Sequence, residues 1–78
     1  MKPIVTEKSI MSIESDNTLT FSMGMNSTKE QIRREIEDFF GVKVEKVRTL
    51  IRKNKKYAYV KLKKDFPAID VATKLGLI

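Results

Sequence analysis

From Val47 to Lys63 the chain alternates in a way that a two-faced β-hairpin accommodates best. Val47, Thr49 and Ile51 fall on one side of an extended segment and Arg48, Leu50 and Arg52 on the other, which is the two-residue period of a pleated strand. A turn at Lys53-Asn54-Lys55 leads into residues 57–63, where Ala58, Val60 and Leu62 alternate with Tyr57, Tyr59, Lys61 and Lys63. A slip of one residue in either strand would carry every apolar side chain to the wrong face, so the pattern specifies register as well as strands. One face of the hairpin is apolar and must be covered; the other is basic and aromatic.

The charge is concentrated in the same place. Residues 43–64 hold ten of the sixteen Lys and Arg of the chain against a single acid, Glu45, while the whole chain has a net charge of +6. Lysines on a strand edge deter aggregation, but one or two serve that purpose. A patch of this density creates a field that attracts a polyanion. Cations that neutralise phosphates, interleaved with rings that stack on bases, point to nucleic acid.

Enzymatic chemistry has little to work with. There is no cysteine and no histidine, which removes thiolate metal sites, disulfides and the side chain most used for acid-base work near neutral pH. Lys8-Ser9 is the only pair resembling a nucleophile dyad, and an exposed lysine does not lose its proton readily enough to act as the base. Glu35, Glu37 and Asp38 do not converge on a cation when spaced along a helix. The three glycines, Gly24, Gly41 and Gly76, form no phosphate loop. The expectation is a binding protein without cofactor, metal or small-molecule substrate. The N-terminal Met1-Lys2-Pro3-Ile4-Val5-Thr6-Glu7-Lys8 becomes charged before any apolar stretch long enough for a signal peptide, and no run suits membrane insertion; the chain reads as cytoplasmic.

The remaining elements follow from caps and spacing. Thr6 suits an N-cap, with Ile10 and Ile13 three apart in a short first helix over residues 6–14. Residues 17–24 alternate, with Leu19, Phe21 and Met23 on one face and Thr18, Thr20 and Ser22 on the other. Ser27-Thr28-Lys29-Glu30 matches a capping box with Ser27 as the cap. The helix that follows places Ile32, Ile36, Phe39 and Phe40 toward a core, sets Arg34 near Glu37 or Asp38, and ends at Gly41. Asp65-Phe66-Pro67 opens a last helix with Ile69, Ala72 and Leu75 at helical spacing and Gly76 at its end.

These elements make an α+β fold in one domain spanning residues 1–78. It is a small α/β sandwich whose mostly antiparallel, three- to four-stranded sheet has a split β-α-β core and about three helices. A strand-helix-strand unit crosses over in the right-handed sense and the hairpin returns antiparallel, so residues 57–63 insert between the other two strands. The second helix then packs on Leu19, Phe21, Met23, Val47, Ile51, Val60 and Leu62, with the basic strand faces pointing away. Periodicity leaves open which side the first and last helices cover.

Two resemblances sharpen the partner. Lys55-Lys56-Tyr57-Ala58-Tyr59-Val60-Lys61-Leu62 looks like the first ribonucleoprotein signature of the RNA recognition motif, with Lys56 in place of its glycine and Leu62 in place of its last ring. That alternative implies a free single-stranded RNA binder. Against it, Thr20 stands where the first strand should carry a ring, and only 14 residues follow Lys64.

The second resemblance covers essentially the whole chain. Pro3-Ile4-Val5-Thr6-Glu7-Lys8-Ser9, Asn17-Thr18-Leu19-Thr20-Phe21, Thr28-Lys29-Glu30-Gln31-Ile32, Phe40-Gly41-Val42-Lys43-Val44, Val47-Arg48-Thr49, Lys55-Lys56-Tyr57-Ala58-Tyr59-Val60 and Leu75-Gly76-Leu77-Ile78 occur in this order. Together they resemble the universal large-subunit ribosomal protein twenty-three family in its archaeal form. The resemblance implies a structural constituent of the large ribosomal subunit that binds rRNA directly near the polypeptide exit tunnel. It further implies neighbouring ribosomal proteins as partners and a docking platform for nascent-chain factors such as the signal recognition particle. By motif, Lys8, Asn17, Thr28, Lys29, Thr49, Lys55, Lys56 and Tyr59 would lie at or near rRNA. Arg48 stands where the family usually has Asn, which substitutes a phosphate contact for a base or sugar contact. Arg52, Lys53, Tyr57 and Lys61 join the candidate rRNA-binding set through the charge pattern of the hairpin. Glu7 would be the exposed contact for a docking factor; its charge also suits a helix N-terminus. A membrane-surface or protein-interaction module is a third class, distinguished by binding to anionic vesicles.

Overall fold

A threonine starts each of the first two helices. In the computed structural model, which describes residues 2–4 and 6–76, α1 (Glu7–Asp16) follows an extended Thr6 whose hydroxyl accepts from the Ser9 N–H at 3.0 Å. The Ser9 hydroxyl accepts in return from the Thr6 N–H at 2.8 Å. Its own proton faces the carbonyls of Ile4 and Thr6, each 2.9 Å away, so one buried hydroxyl ties the N-terminal lead to the helix. The helix runs past residue 14 to Asp16 and stops because Asn17 adopts the left-handed conformation, φ 52°. Met1, Val5, Leu77 and Ile78, which belong to the quoted motifs, lie outside the described residues.

The second cap corrects the sequence expectation. α2 (Lys29–Phe40) is capped by Thr28, not Ser27, with Gln31 rather than Glu30 completing the box: Thr28 Oγ1 accepts from the Gln31 N–H at 3.2 Å and Gln31 Oε1 from the Thr28 N–H at 3.1 Å. Both frames satisfy the same sequence rule. The Ser27 N–H is used in the preceding turn, where it donates to the Gly24 carbonyl at 3.2 Å. Gly41 ends the helix at φ 65°. Arg34 pairs backward with Glu30 at 4.0 Å, not forward with Glu37 or Asp38; an acid four residues ahead of a base is the better helical orientation.

The sheet contains β1 (Lys2–Pro3), β2 (Thr18–Met23), β3 (Val44–Arg52) and β4 (Lys55–Leu62) in the order β1-β2-β4-β3, every neighbouring pair antiparallel. β4 thus lies between β2 and β3, which α2 connects, as the split β-α-β arrangement requires. The hairpin turn is two residues, Lys53 and Asn54, both at positive φ (50° and 63°), the geometry that matches strand twist. Lys55 is therefore the first residue of β4, paired with Arg52, and not part of the turn. Between Val44 and Lys46 the register shifts by a bulge that absorbs Glu45.

All three helices contribute to one core on a single side of the sheet, which answers the question periodicity left open. Leu19 and Phe21 from β2, Val44 from β3 and Ala58, Val60 and Leu62 from β4 meet Ile13 of α1, Ile32 and Ile36 of α2, and Ala68, Val71 and Ala72 of α3 (Ala68–Lys74). Three expected core residues are placed otherwise. Phe39 is 79% exposed because Phe40 fills the core at that end of α2, leaving Phe39 edge-on to it at 5.0 Å. Ile51 is 58% exposed, opposite Lys56 near the hairpin tip where the core has ended. Ile69 is 37% exposed since Pro67 is the N-cap and the helix starts at Ala68, which turns Ala68, Val71 and Ala72 inward.

Glu37 links α2 to the start of β3. Its carboxylate accepts from the buried Val44 N–H at 2.9 Å, with Arg33 at 3.7 Å. That backbone bond chiefly holds the carboxyl below the usual range; partial burial opposes it, and the charges of Arg33 and Lys43 reinforce it. A group depressed in the folded state stabilises above its unfolded value, about 4.3, and loses that contribution as pH falls through the folded value. Urea unfolding at pH 5 and pH 3 should therefore show a fall in unfolding free energy that is smaller in Glu37→Gln than in the wild type. An equal fall in both proteins would show that this link contributes nothing.

Candidate nucleic-acid interface

Strand pairing arranges the uncovered face of the sheet in rows. Thr18, Lys61 and Lys46 lie side by side across three strands, then Thr20, Tyr59 and Arg48, then Ser22, Tyr57 and Leu50, and finally Lys55 and Arg52. Successive rows are about 6.7 Å apart, two residues along a strand. The bulge at Glu45 is what brings Lys46 onto this face. Lys46 and Lys61 stand directly opposite each other, a like-charge pairing that works against folding. Glu45 approaches Lys61 at 3.7 Å, but both are about half exposed, so the pair contributes little. Among the described residues no helix covers these rows, although Thr20 within them is buried. α1 instead rises beside them, and its Lys8, Ser12 and Asp16 join Thr18, Lys46, Arg48, Tyr59 and Lys61 around an open concavity of about 470 Å³.

The structure divides the expected site residues into groups. Arg48, Arg52, Lys55, Tyr57, Tyr59 and Lys61 share the outer face, with Lys53 at the turn beyond it and Lys8 on its rim. Tyr57 and Tyr59 are half-buried among these strands. Lys56 and Thr49 take the opposite face: Lys56 pairs with Met23 and Ile51 and donates to the Ser27 carbonyl, while Thr49 is half-buried opposite Ala58. Thr28 is spent on its cap, and the neighbouring Lys29 lines a separate shallow groove with Arg33. Glu7 is exposed at the first position of α1.

Asn17 is committed within the fold. Its amide donates to the carbonyls of Leu62 and Phe66, each at 3.1 Å, with the Lys63 carbonyl at 3.3 Å, and its Oδ1 accepts from the Ala68 N–H. Lys46, Asp16 and Thr18 belong to the concavity without appearing among the sequence candidates. The break in alternation at Val44-Glu45-Lys46-Val47 is the signal that would have revealed Lys46.

Among the described residues no cluster of acidic side chains is arranged to hold a metal, and no helix is long and apolar enough to cross a membrane. No strand follows α3 among them either; the fourth strand is β1, from the other end of the chain. A helix-backed sheet with one uncovered cationic face is the surface of a protein suited to binding a polyanion. The sequence profile of the family Ribosomal protein L23 matches residues 1–69, and the chain belongs to that family. It is 47% identical to the large ribosomal subunit protein uL23 of Methanothermobacter thermautotrophicus, over 99% of this chain and 91% of the relative. It is 46% identical to the protein of the same name from Picrophilus torridus, over 99% of this chain and 94% of the relative. Membership makes the chain a structural component of the large ribosomal subunit and not an enzyme.

Proposed function

We propose that the chain binds large-subunit rRNA directly through the outer face of its sheet, beside the polypeptide exit tunnel, and that α1 offers Glu7 to a nascent-chain factor such as the signal recognition particle. One observation carries the RNA contact: Lys46 and Lys61 are opposed across an uncovered face with Arg48 one row away. Such an arrangement repels itself in the free protein and is relieved when phosphates intervene. The tunnel-side position and the docking role rest on the family resemblance of Thr6-Glu7-Lys8.

Sedimentation separates the two parts. The wild-type chain should enter large subunits assembled in extract. Glu7→Lys should enter equally well, because Glu7 is exposed and makes no ion pair among the described residues, yet should co-sediment with at least about tenfold less signal recognition particle, as expected when an attractive charge contact becomes repulsive. Unchanged recovery of the particle would remove Glu7 from the docking surface.

A further inference from the structure

Asp16 stands where a carboxylate is unfavourable for the fold. It is the last residue of α1, at the end where the helix dipole disfavours negative charge, and it makes no ion pair among the described residues. It is also the one acid around a concavity whose charged lining is otherwise Lys8, Lys46, Arg48 and Lys61. A pocket built only to hold phosphate gains nothing from a carboxylate, which repels it. A carboxylate does accept strongly from a hydroxyl. The hydroxyls beside it already donate elsewhere: Thr18 Oγ1 to the Asp16 carbonyl at 3.0 Å, and Ser12 Oγ to the Lys8 carbonyl at 3.2 Å. Both therefore face the concavity as acceptors, and neither satisfies the carboxylate.

We infer that this concavity seats a single ribonucleotide of the bound RNA, the lysines and Arg48 taking its phosphate, the Tyr59 ring contacting its base or sugar, and Asp16 accepting from the ribose 2′-hydroxyl. The 2′-hydroxyl is the group by which a protein distinguishes RNA from DNA, and an aromatic side chain is the usual platform for an unstacked base. The inference rests on the RNA-binding reading of this face and adds to it a sugar-reading residue.

The test compares one large-subunit rRNA fragment made with ribose throughout and with 2′-fluoro nucleotides, which keep the A-form sugar pucker but cannot donate. The wild-type chain should bind the ribose form about tenfold more tightly, the effect of one hydrogen bond to a charged group. Asp16→Ala should bring the ratio to within about twofold with the salt dependence of binding unchanged, and Asp16→Asn, which keeps an acceptor, should retain part of the ratio. Asp16 is exposed, so thermal unfolding should show all three proteins folded. A ratio that is equal in wild type and Asp16→Ala overturns the inference; it would mean that Asp16 only moderates repulsion among the surrounding cations. Loss of salt-dependent binding in the wild type would instead overturn the RNA-binding reading itself, so the two failures are distinguishable.

Discussion

Asn17→Ala is expected to destabilise the fold by about 3 kcal/mol, from the loss of one helix cap, of donors to buried carbonyls and of a residue suited to positive φ. Pro67, the N-cap of α3, has no side chain that can cap, so the Ala68 N–H takes its acceptor from Asn17, 51 positions away. The same side chain donates to carbonyls at the end of β4 and in the loop that follows. The residue also ends α1 in the left-handed region. A single side chain thereby holds together the end of α1, the end of β4 and the start of α3. Domains of this size are stable by about 4–12 kcal/mol, so the loss is a large share. Urea unfolding checks it, with two companions: Asn17→Gly, which restores backbone freedom, should lose about 1 kcal/mol less than alanine, whereas Asn17→Asp keeps the cap on Ala68 but turns a carboxylate toward carbonyls and should be no better than alanine. A loss below about 1 kcal/mol for Asn17→Ala would mean these bonds are replaced by water. At temperatures where the variant stays folded its RNA salt dependence should match wild type, because the side chain's polar atoms face inward.

Replacing Lys46, Arg48 and Lys61 together by alanine should reduce the dependence of rRNA affinity on salt by two to three phosphate contacts. Each contact contributes about 0.7 to 0.9 to the slope of log affinity against log salt, so between 50 and 200 mM salt the wild type should lose about 7- to 40-fold more affinity than the variant. Stability should stay level or rise by a few tenths of a kcal/mol, since the opposed Lys46–Lys61 pair is removed. That combination separates a binding face from a merely structural one, in which binding and stability would fall together. The hairpin tip offers the comparison: Lys53→Ala with Lys55→Ala should reduce the slope, and Lys56→Ala should not, because Lys56 occupies the opposite face and donates to Ser27. An unchanged slope in the triple variant would move the RNA to another surface.

The alternation of the hairpin, the caps at Thr6 and Gly41, and the helical spacing of Ile32 and Ile36 all carried through from sequence to structure, because each is a local pattern whose period matches the element it forms. Where two local frames were equally good, as at Ser27 and Thr28, the sequence held no preference; the Gly24 turn chose by consuming the Ser27 N–H. Phe39 and Ile51 fit their periods yet stand outside the core, since period gives the face of an element but not how far its neighbours extend along it. The outer face was legible as a charge pattern, but not its membership. The bulge at Glu45 adds Lys46, and α1 contributes Lys8 and Asp16 from about 40 residues away in sequence.

The three helices, three of the four strands, the two-faced hairpin, the basic segment and the family were all legible in the amino-acid sequence, because these rest on the order and spacing of neighbouring residues. Packing in three dimensions was needed to place all three helices on the same side of the sheet, to spend Asn17 inside the fold, and to bring Asp16 to a concavity with four cations. Those outcomes depend on contacts between residues distant along the chain, which are selected by the packing of the one shared core and which no local period encodes.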